Sequence, residues 1–248
     1  VDPVEEPIPV FPTAHYVMGG IPTDRYGRVV VPAGTGEEAQ PGLYAAGECA
    51  CASVHGANRL GGNSLLDILV FGRVAGKDII DYVRDNPFHR SLDQASLDQA
   101  MGRLTSLDRQ GEGVSVHAMR EELTRTMEDH AGVFRTDEIM TEGLKKLDAV
   151  RARMPDLRLK DRSKVFNTAR VEALELQNLL DVGMAIAVSA LHRKESRGAH
   201  SRPDYPKRDD ANWMKHSLYF LDGDRLDYKP VRTKPLTVET FPPKERVY

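Results

Sequence analysis

Apolar and polar positions alternate along the chain in distinct rhythms. From residue 64 the apolar positions Leu65, Leu66, Ile68, Leu69, Val70 and Phe71 run almost unbroken, then thin to Val74, Ile79, Ile80 and Val83. That pattern predicts a helix buried at its start, amphipathic at its end and stopping near Asn86-Pro87. Residues 95–152 carry three heavily charged helical periods. One spans about 96–109, with Leu97, Met101, Leu104 and Leu107 on a stripe. Another spans 116–130, with Met119, Leu123 and Met127, and a third 138–154, with Leu144, Leu147 and Val150. Gly111-Glu112-Gly113 and Pro155 punctuate them, so the stretch predicts a small antiparallel three-helix bundle with methionines as core filler. Residues 166–192 predict a longer helix with Val171, Leu174, Leu179, Val182, Ile186 and Leu191 on one broad face. Ala185, Ala187 and Ala190 allow it close packing, and Arg193-Lys194 suit the negative end of its dipole. Residues 212–232 alternate in β fashion around the turn Asp222-Gly223-Asp224.

The first 94 residues are less regular. Residues 1–14 hold four prolines and predict an extended connector. An apolar step follows, from His15 to the double glycine Gly19-Gly20. Residues 23–40 predict a surface hairpin: a turn at 24–27, a strand at 28–31 and a polar loop at 33–40. The strand Leu43-Tyr44-Ala45-Ala46 then stops at Gly47-Glu48. A glycine there lets backbone approach a ligand closely, and the following carboxylate can accept hydrogen bonds from ribityl or ribose hydroxyls. Asn63 or Ser64 is placed to cap the next helix, whose free N–H groups and positive dipole end favour an anion. Between strand and helix stands Arg59, the side chain best shaped to grip a carboxylate bidentately. On residues alone two readings stay open: a site holding a large anionic cofactor beside a substrate, or a strand–loop–helix turn with an exposed Arg.

Composition narrows the classes. At 248 residues the chain can bury a sizeable core, and a net charge of −3 with 29% charged residues gives no electrostatic reason to expect nucleic acid. No run of about 18 apolar residues suggests a membrane span. The acidic, proline-rich start is not a signal peptide. Cys49 and Cys51 are too few for a tetrahedral zinc site and too close for an easy disulfide, so no metal is expected and they read as small buried residues.

Three motifs carry a family resemblance. HGANRLGGNSLLD at 55–67, PTAHYVMGGIPTD at 12–24 and ESRGAHSRPDYPKRDDANWMKHS at 195–217 resemble the flavoprotein subunits of succinate dehydrogenase and fumarate reductase. The dehydrogenase branch fits better than fumarate reductase or L-aspartate oxidase. The resemblance implies FAD as cofactor, contacted by Glu48, Ser64 and Leu65, and a helix beginning at Ser64 that aims N–H groups at the flavin. It implies that His15 and Arg59 hold a carboxylate of succinate or fumarate. No proton acceptor is assigned within the chain; in the relatives that Arg lies in a capping domain. Neither that domain nor the main glycine-rich dinucleotide turn has a counterpart here, so the chain is expected to be a C-terminal portion, inactive by itself. Implied partners are an iron–sulfur subunit and, through it, membrane anchor subunits, in a complex peripheral to the cytoplasmic or matrix face of a membrane.

The expected fold is a partial α/β flavin-binding lobe of FAD/NAD(P)-binding type, then an α-helical bundle, then a small C-terminal α+β region. The expected divisions are 1–94, 95–195 and 196–248, with a proline-rich end lying along a surface. The cluster at 195–200 could be a second catalytic group. The preferred reading is structural: an Arg and a carboxylate tying the bundle to the flavin-binding lobe.

Overall fold

The structure is a computed structural model that describes residues 2–10, 15–34 and 36–244. The connector forms a short turn at its start, where the Glu5 and Glu6 amides donate to the Asp2 carbonyl, rather than being extended throughout. In the first lobe β1 (Ile21–Pro22) pairs in parallel with β4 (Ala50–Cys51), while β2 (Arg28–Ala33) and β3 (Gly36–Tyr44) form an antiparallel hairpin. The expected polar loop at 33–40 is therefore mostly strand. Its register shifts between Arg28 and Val30, opposite Pro41-Gly42. Proline has no N–H for the ladder, and Gly42 sits at φ +79, so a bulge is the natural solution there.

Helix α1 (Gly61–Asp85) starts three residues before Ser64, and neither Asn63 nor Ser64 caps it. Its N-cap is Leu60, which offers no side-chain acceptor, and the Ser64 amide already donates to the Leu60 carbonyl at 3.1 Å. Its burial also reverses the expectation. Leu65, Leu66, Ile68, Leu69 and Val70 are exposed, and only Asp67 and Ala75 are buried among the described residues of the helix. An ion pair secures α1 to the hairpin instead. Arg28 Nε donates to Asp78 Oδ2 at 2.7 Å, and the Tyr44 hydroxyl donates to the same oxygen at 2.7 Å.

The bundle core belongs to α3 (Val116–Ala131), α4 (Asp137–Arg153) and α5 (Thr168–His192), not to the expected trio. Helix α2 (Gln94–Thr105) has no buried residue, although Leu107, on the expected stripe and just past the end of α2, does join the core. Its Arg103 reaches Gln177, Asn178 and the Leu174 carbonyl of α5, a polar attachment rather than an apolar one. The core gathers Met119, Leu123, Leu147, Val150, Leu176, Leu180 and Met184, so the core-filler reading holds for these methionines. The buried face of α5 runs through Ala173, Leu176, Leu180, Gly183 and Ala187, whereas Val171, Leu179 and Val182 are exposed. Among the described residues α5 is the one helix whose length and mean hydropathy of 1.3 suit a membrane span, and here it is the central core helix.

Beyond α5 comes a charged knot, then the short helix α6 (Asp210–Trp213) and a hairpin of β5 (Lys215–Phe220) and β6 (Arg225–Pro230). Fully buried Arg202 reaches Asp137 at 2.6 Å and Asp204 at 2.7 Å, and its Nη1 donates to the Ala190 and Leu191 carbonyls. It thus satisfies carbonyls that the end of a helix leaves without partners. Glu195, also fully buried, accepts from Arg193, Arg197 and the Asp209 amide.

Candidate functional site

The loop between β4 and α1 has no regular secondary structure, so its shape is set by what touches it. Its anchor is Arg59, 9% exposed. The Arg59 guanidinium carbon lies 4.2 Å from the centre of the Tyr16 ring, and its amide donates to Met18 Sδ at 3.0 Å. Both partners sit on the apolar step that precedes β1, which explains why that step and this loop are brought together. Met18 is thus part of the loop's support.

Below the guanidinium lies Asp67, buried on the second turn of α1. His55 Nε2 is 2.8 Å from Asp67 Oδ2, while Arg59 Nη1 stands 3.6 Å from the same oxygen, beyond hydrogen-bond distance. Nη1 is buried and has no hydrogen-bond partner. An orphaned guanidinium nitrogen in a dry position is costly unless an acceptor arrives. Beside it is a small cavity of about 70 Å³, lined by Met18, Gly19, Ser53, His55, Arg59 and His216 among others. A positive, under-satisfied side chain on a residue that lines a small cavity fits an anionic oxygen. A wider depression of about 450 Å³ on α3 and α4 is lined by Glu121, Glu122, Arg125, Asp129 and Lys146, a solvated charged face.

Of the expected substrate residues, Arg59 is central to this cavity and His15 is not. His15 is exposed, next to undescribed residues 11–14, and does not line the cavity. The structure adds His55, Asp67, Tyr16 and His216. His55 and Asp67 stand within the 55–67 motif, twelve residues apart, with no periodicity to pair them. His216 comes from a hairpin more than 150 residues away, beyond any local signal.

Residues 120–248 match the family described as fumarate reductase flavoprotein C-term, and residues 1–65 match the FAD binding domain family. The chain is 48% identical over 247 residues to the succinate dehydrogenase flavoprotein subunit of Coxiella burnetii, covering 99% of this chain and 42% of that one. It is 41% identical to the fumarate reductase flavoprotein subunit of a Serratia species, covering 100% of this chain and 40% of the relative. A solved structure of E. coli quinol fumarate reductase superposes with a TM-score of 0.84 at 42% identity, over 100% of this chain and 41% of that chain. The chain belongs to the succinate dehydrogenase and fumarate reductase flavoprotein family. It spans about two fifths of the length of these relatives.

For this family the cofactor is FAD, and the residues at the end of the strand segment and at the start of α1 fit it. Gly47 holds φ +77 at the end of the strand segment, where an added Cβ would come within 3.1 Å of Ile68 Cγ2, and it leads to exposed Glu48. The free N–H groups lie at Gly61, Gly62 and Asn63, not at Ser64 as expected, and a Cβ added at either glycine would meet open space. Beyond them Leu65 is exposed and Ser64 half-buried. An uncapped helix start with open space before it and an apolar residue behind it is the cradle that an anionic, flat, aromatic group requires. Among the described residues no cluster of His, Cys, Asp or Glu could hold a metal, and Cys49 and Cys51 are free thiols, with Cys49 exposed rather than buried.

Proposed function

We propose that this chain forms part of an FAD-dependent flavoprotein that oxidises succinate to fumarate and passes electrons to an iron–sulfur subunit and on to quinone. The observation that carries the reading is buried Arg59, which lines a small cavity two residues before the uncapped start of α1 and whose Nη1 has no hydrogen-bond partner among the described residues, Asp67 standing 3.6 Å away. In this proposal Arg59 grips one substrate carboxylate, and His15 is the second carboxylate contact, on the family resemblance alone. Asp67 and Tyr16 hold the guanidinium: one supplies a counter-charge, the other a ring face. Their contribution is orientation of the dicarboxylate, which converts binding into a reactive alignment. Glu48, Ser64 and Leu65 line the flavin side. FAD supplies hydride acceptance, and the N-terminal dipole of α1 favours the negative charge that accompanies it. No residue of this chain is given the proton transfer.

The divisions proposed are 1–94 for the flavin-binding part, 95–195 for the bundle and 196–248 for the tail. The complex would lie peripherally on a membrane through anchor subunits that the chain itself does not touch. Fumarate reduction is the second reading, supported by the E. coli and Serratia relatives; comparing turnover in both directions with high- and low-potential quinones separates them.

The test is Arg59→Ala in the flavoprotein that carries this segment. The expected result is a rise in KM for succinate of about 100-fold or more, the scale for losing a charge-assisted contact of roughly 3 kcal/mol. An unchanged KM would overturn the reading. The 248-residue chain by itself should show no succinate-dependent dye reduction.

A further inference from the structure

We infer that the C-terminal segment 196–230 is a positioning element of the dicarboxylate cavity, with the Gly198-Ala199 turn and His216 fixing the loop that carries Arg59. The inference rests on the reading of that cavity given above. The ion pair that the sequence suggested as a tie between bundle and flavin-binding lobe does not reach the lobe: Arg197 pairs with Glu195, at the end of the bundle, and with Asp210 in the tail. Those bonds, with the Arg197 amide donating to the His200 carbonyl at 2.8 Å and the reverse bond at 3.0 Å, make 197–200 a stiff turn. The tip of the turn is what touches the lobe. The Ala199 amide donates to the Ala57 carbonyl at 3.0 Å, two residues before Arg59. Gly198 sits at φ +59, where a Cβ would stand 2.3 Å from the Ala57 oxygen. Only glycine permits that approach.

Two further contacts come from the hairpin. His216 Nε2 lies 3.5 Å from the hydroxyl of Ser53, a residue held at φ 61, and His216 forms part of the cavity wall with Met18 and Arg59. Lys229 on β6 pairs with Glu37 on β3 at 2.5 Å. The loop is thus held at Ser53 and at Ala57 by the tail, and at His55 and Arg59 by α1 and the residue-16–18 step. A loop without regular structure has few other constraints, so loosening either tie lets the Arg59 guanidinium leave the position at which it grips a carboxylate, and that charge-assisted contact is lost in ground state and transition state alike. Gly198, Ala199 and His216 act through the loop and are positioning residues.

The experiment uses the complete FAD-loaded flavoprotein and two readouts. One is the dissociation constant for malonate, a dicarboxylate with no CH–CH bond to oxidise, by calorimetry; the other is the split between KM and kcat for succinate. Gly198→Ala and His216→Phe should each weaken malonate and raise KM by about 10-fold, with kcat within about twofold, as loss of uniform binding requires. His216→Gln, which keeps a polar end and adds no bulk, should lose less than His216→Phe and guards against a folding failure. Gly223→Ala is the control: its φ of +69 strains the same hairpin, yet an added Cβ meets nothing within 4 Å, so malonate affinity should not move. Parent-like affinity in Gly198→Ala and His216→Phe, alongside a loss in Arg59→Ala, would overturn the inference. An equal loss in Gly223→Ala would overturn it too. Normal malonate binding by Arg59→Ala would instead defeat the underlying reading of the cavity.

Discussion

His55 Nε2 stands 2.8 Å from Asp67 Oδ2, so a loop residue and a helix residue twelve positions apart share one buried carboxylate with Arg59. Asp67 is 6% exposed and Arg59 9%. Removing the carboxylate leaves a buried cation with only a ring face for company. Asp67→Ala should therefore destabilise the chain by about 3 kcal/mol or more, the scale for breaking a buried pair at one partner. Asp67→Asn keeps a hydrogen-bonding oxygen for His55 and should cost less, about 1–2 kcal/mol. Urea unfolding of the two variants reads both values, and an Asp67→Ala midpoint equal to the parent's would show that the pairing is not formed in solution.

His200 makes folding sensitive to mild acid. Arg135 Nη1 donates to its Nδ1 at 3.1 Å, and its Nε2 donates to the Arg193 carbonyl at 3.0 Å, which fixes the neutral form. Burial first, then the neighbouring Arg135, Arg202 and Arg193 charges, push its pKa down to about 4 from 6.5, against the Arg193 carbonyl's opposite pull. The unfolded chain then binds a proton between pH 6.5 and 4 that the folded chain refuses. Stability is full above pH 6.5, falls as the pH drops towards 4, and has no further contribution from this group below that. His200→Gln should flatten the slope in that window by up to one proton, with part remaining because burial also lowers His216. Asp204, held down at about 2 chiefly by Arg202, acts in a separate window between 3.8 and 2. Unfolding midpoints from pH 7 to 4 would show the difference. An identical slope in parent and variant would remove His200 from the account.

Glu195 has no exposure and receives four hydrogen bonds. Burial raises its pKa, but the bonds from Arg197, the Asp209 amide and Arg193 outweigh it and leave the carboxyl below the usual carboxylate range. Glu195→Ala removes the buried carboxylate that Arg193 and Arg197 share, leaving Arg197 only Asp210 and Arg193 no acidic partner among the described residues, and should cost about 3 kcal/mol. Asp81→Ala, which removes an exposed pair with Arg84, should leave the midpoint where it was. Thermal unfolding of the two variants side by side tests whether burial, rather than the count of ion pairs, sets the energetic scale.

The helices of residues 61–192 and the hairpin at 215–230 were legible because each follows a clear period. On α3 and α4 the expected stripes, with Met119, Leu123, Leu147 and Val150, are the buried ones; on α1 and α5 the periods did not reveal which face is buried. On α5 the large residues Val171, Leu179 and Val182 were expected inside, yet the contact runs along Ala173, Gly183 and Ala187. Close approach at Gly183 contributes: an added Cβ there would meet Met127 Sδ at 3.3 Å, so α3 comes nearest at a residue with no side chain, while Leu176 and Leu180 fill the same face. The stripe on α2 was legible as a stripe, but its helix rests on α5 through Arg103. Arg59 stood out because an Arg between two glycine-bounded segments is conspicuous. Tyr16, Met18 and His216 did not, because their partnership with the loop exists only once distant segments have folded together.

The reversed burial of α1 has a measurable outcome. Leu65, Leu66 and Leu69 are 63%, 60% and 69% exposed, and Ile80 and Val83 continue the open face about three and four turns beyond Leu69. Soluble chains seldom leave so long an apolar stripe bare unless something covers it. The 248-residue chain in isolation should bind an anilinonaphthalene dye with strong fluorescence. Leu66→Lys with Leu69→Lys, both outward-pointing, should reduce that signal severalfold without lowering the unfolding midpoint, since neither residue is in a core. Val171→Lys and Val182→Lys on the exposed side of α5 serve as the comparison, because those valines are separated by three turns and form no continuous stripe with α1. If the α1 pair leaves dye binding intact, the exposed face is not the one that solvent meets, and the helix must pack onto the bundle or onto a second copy in solution.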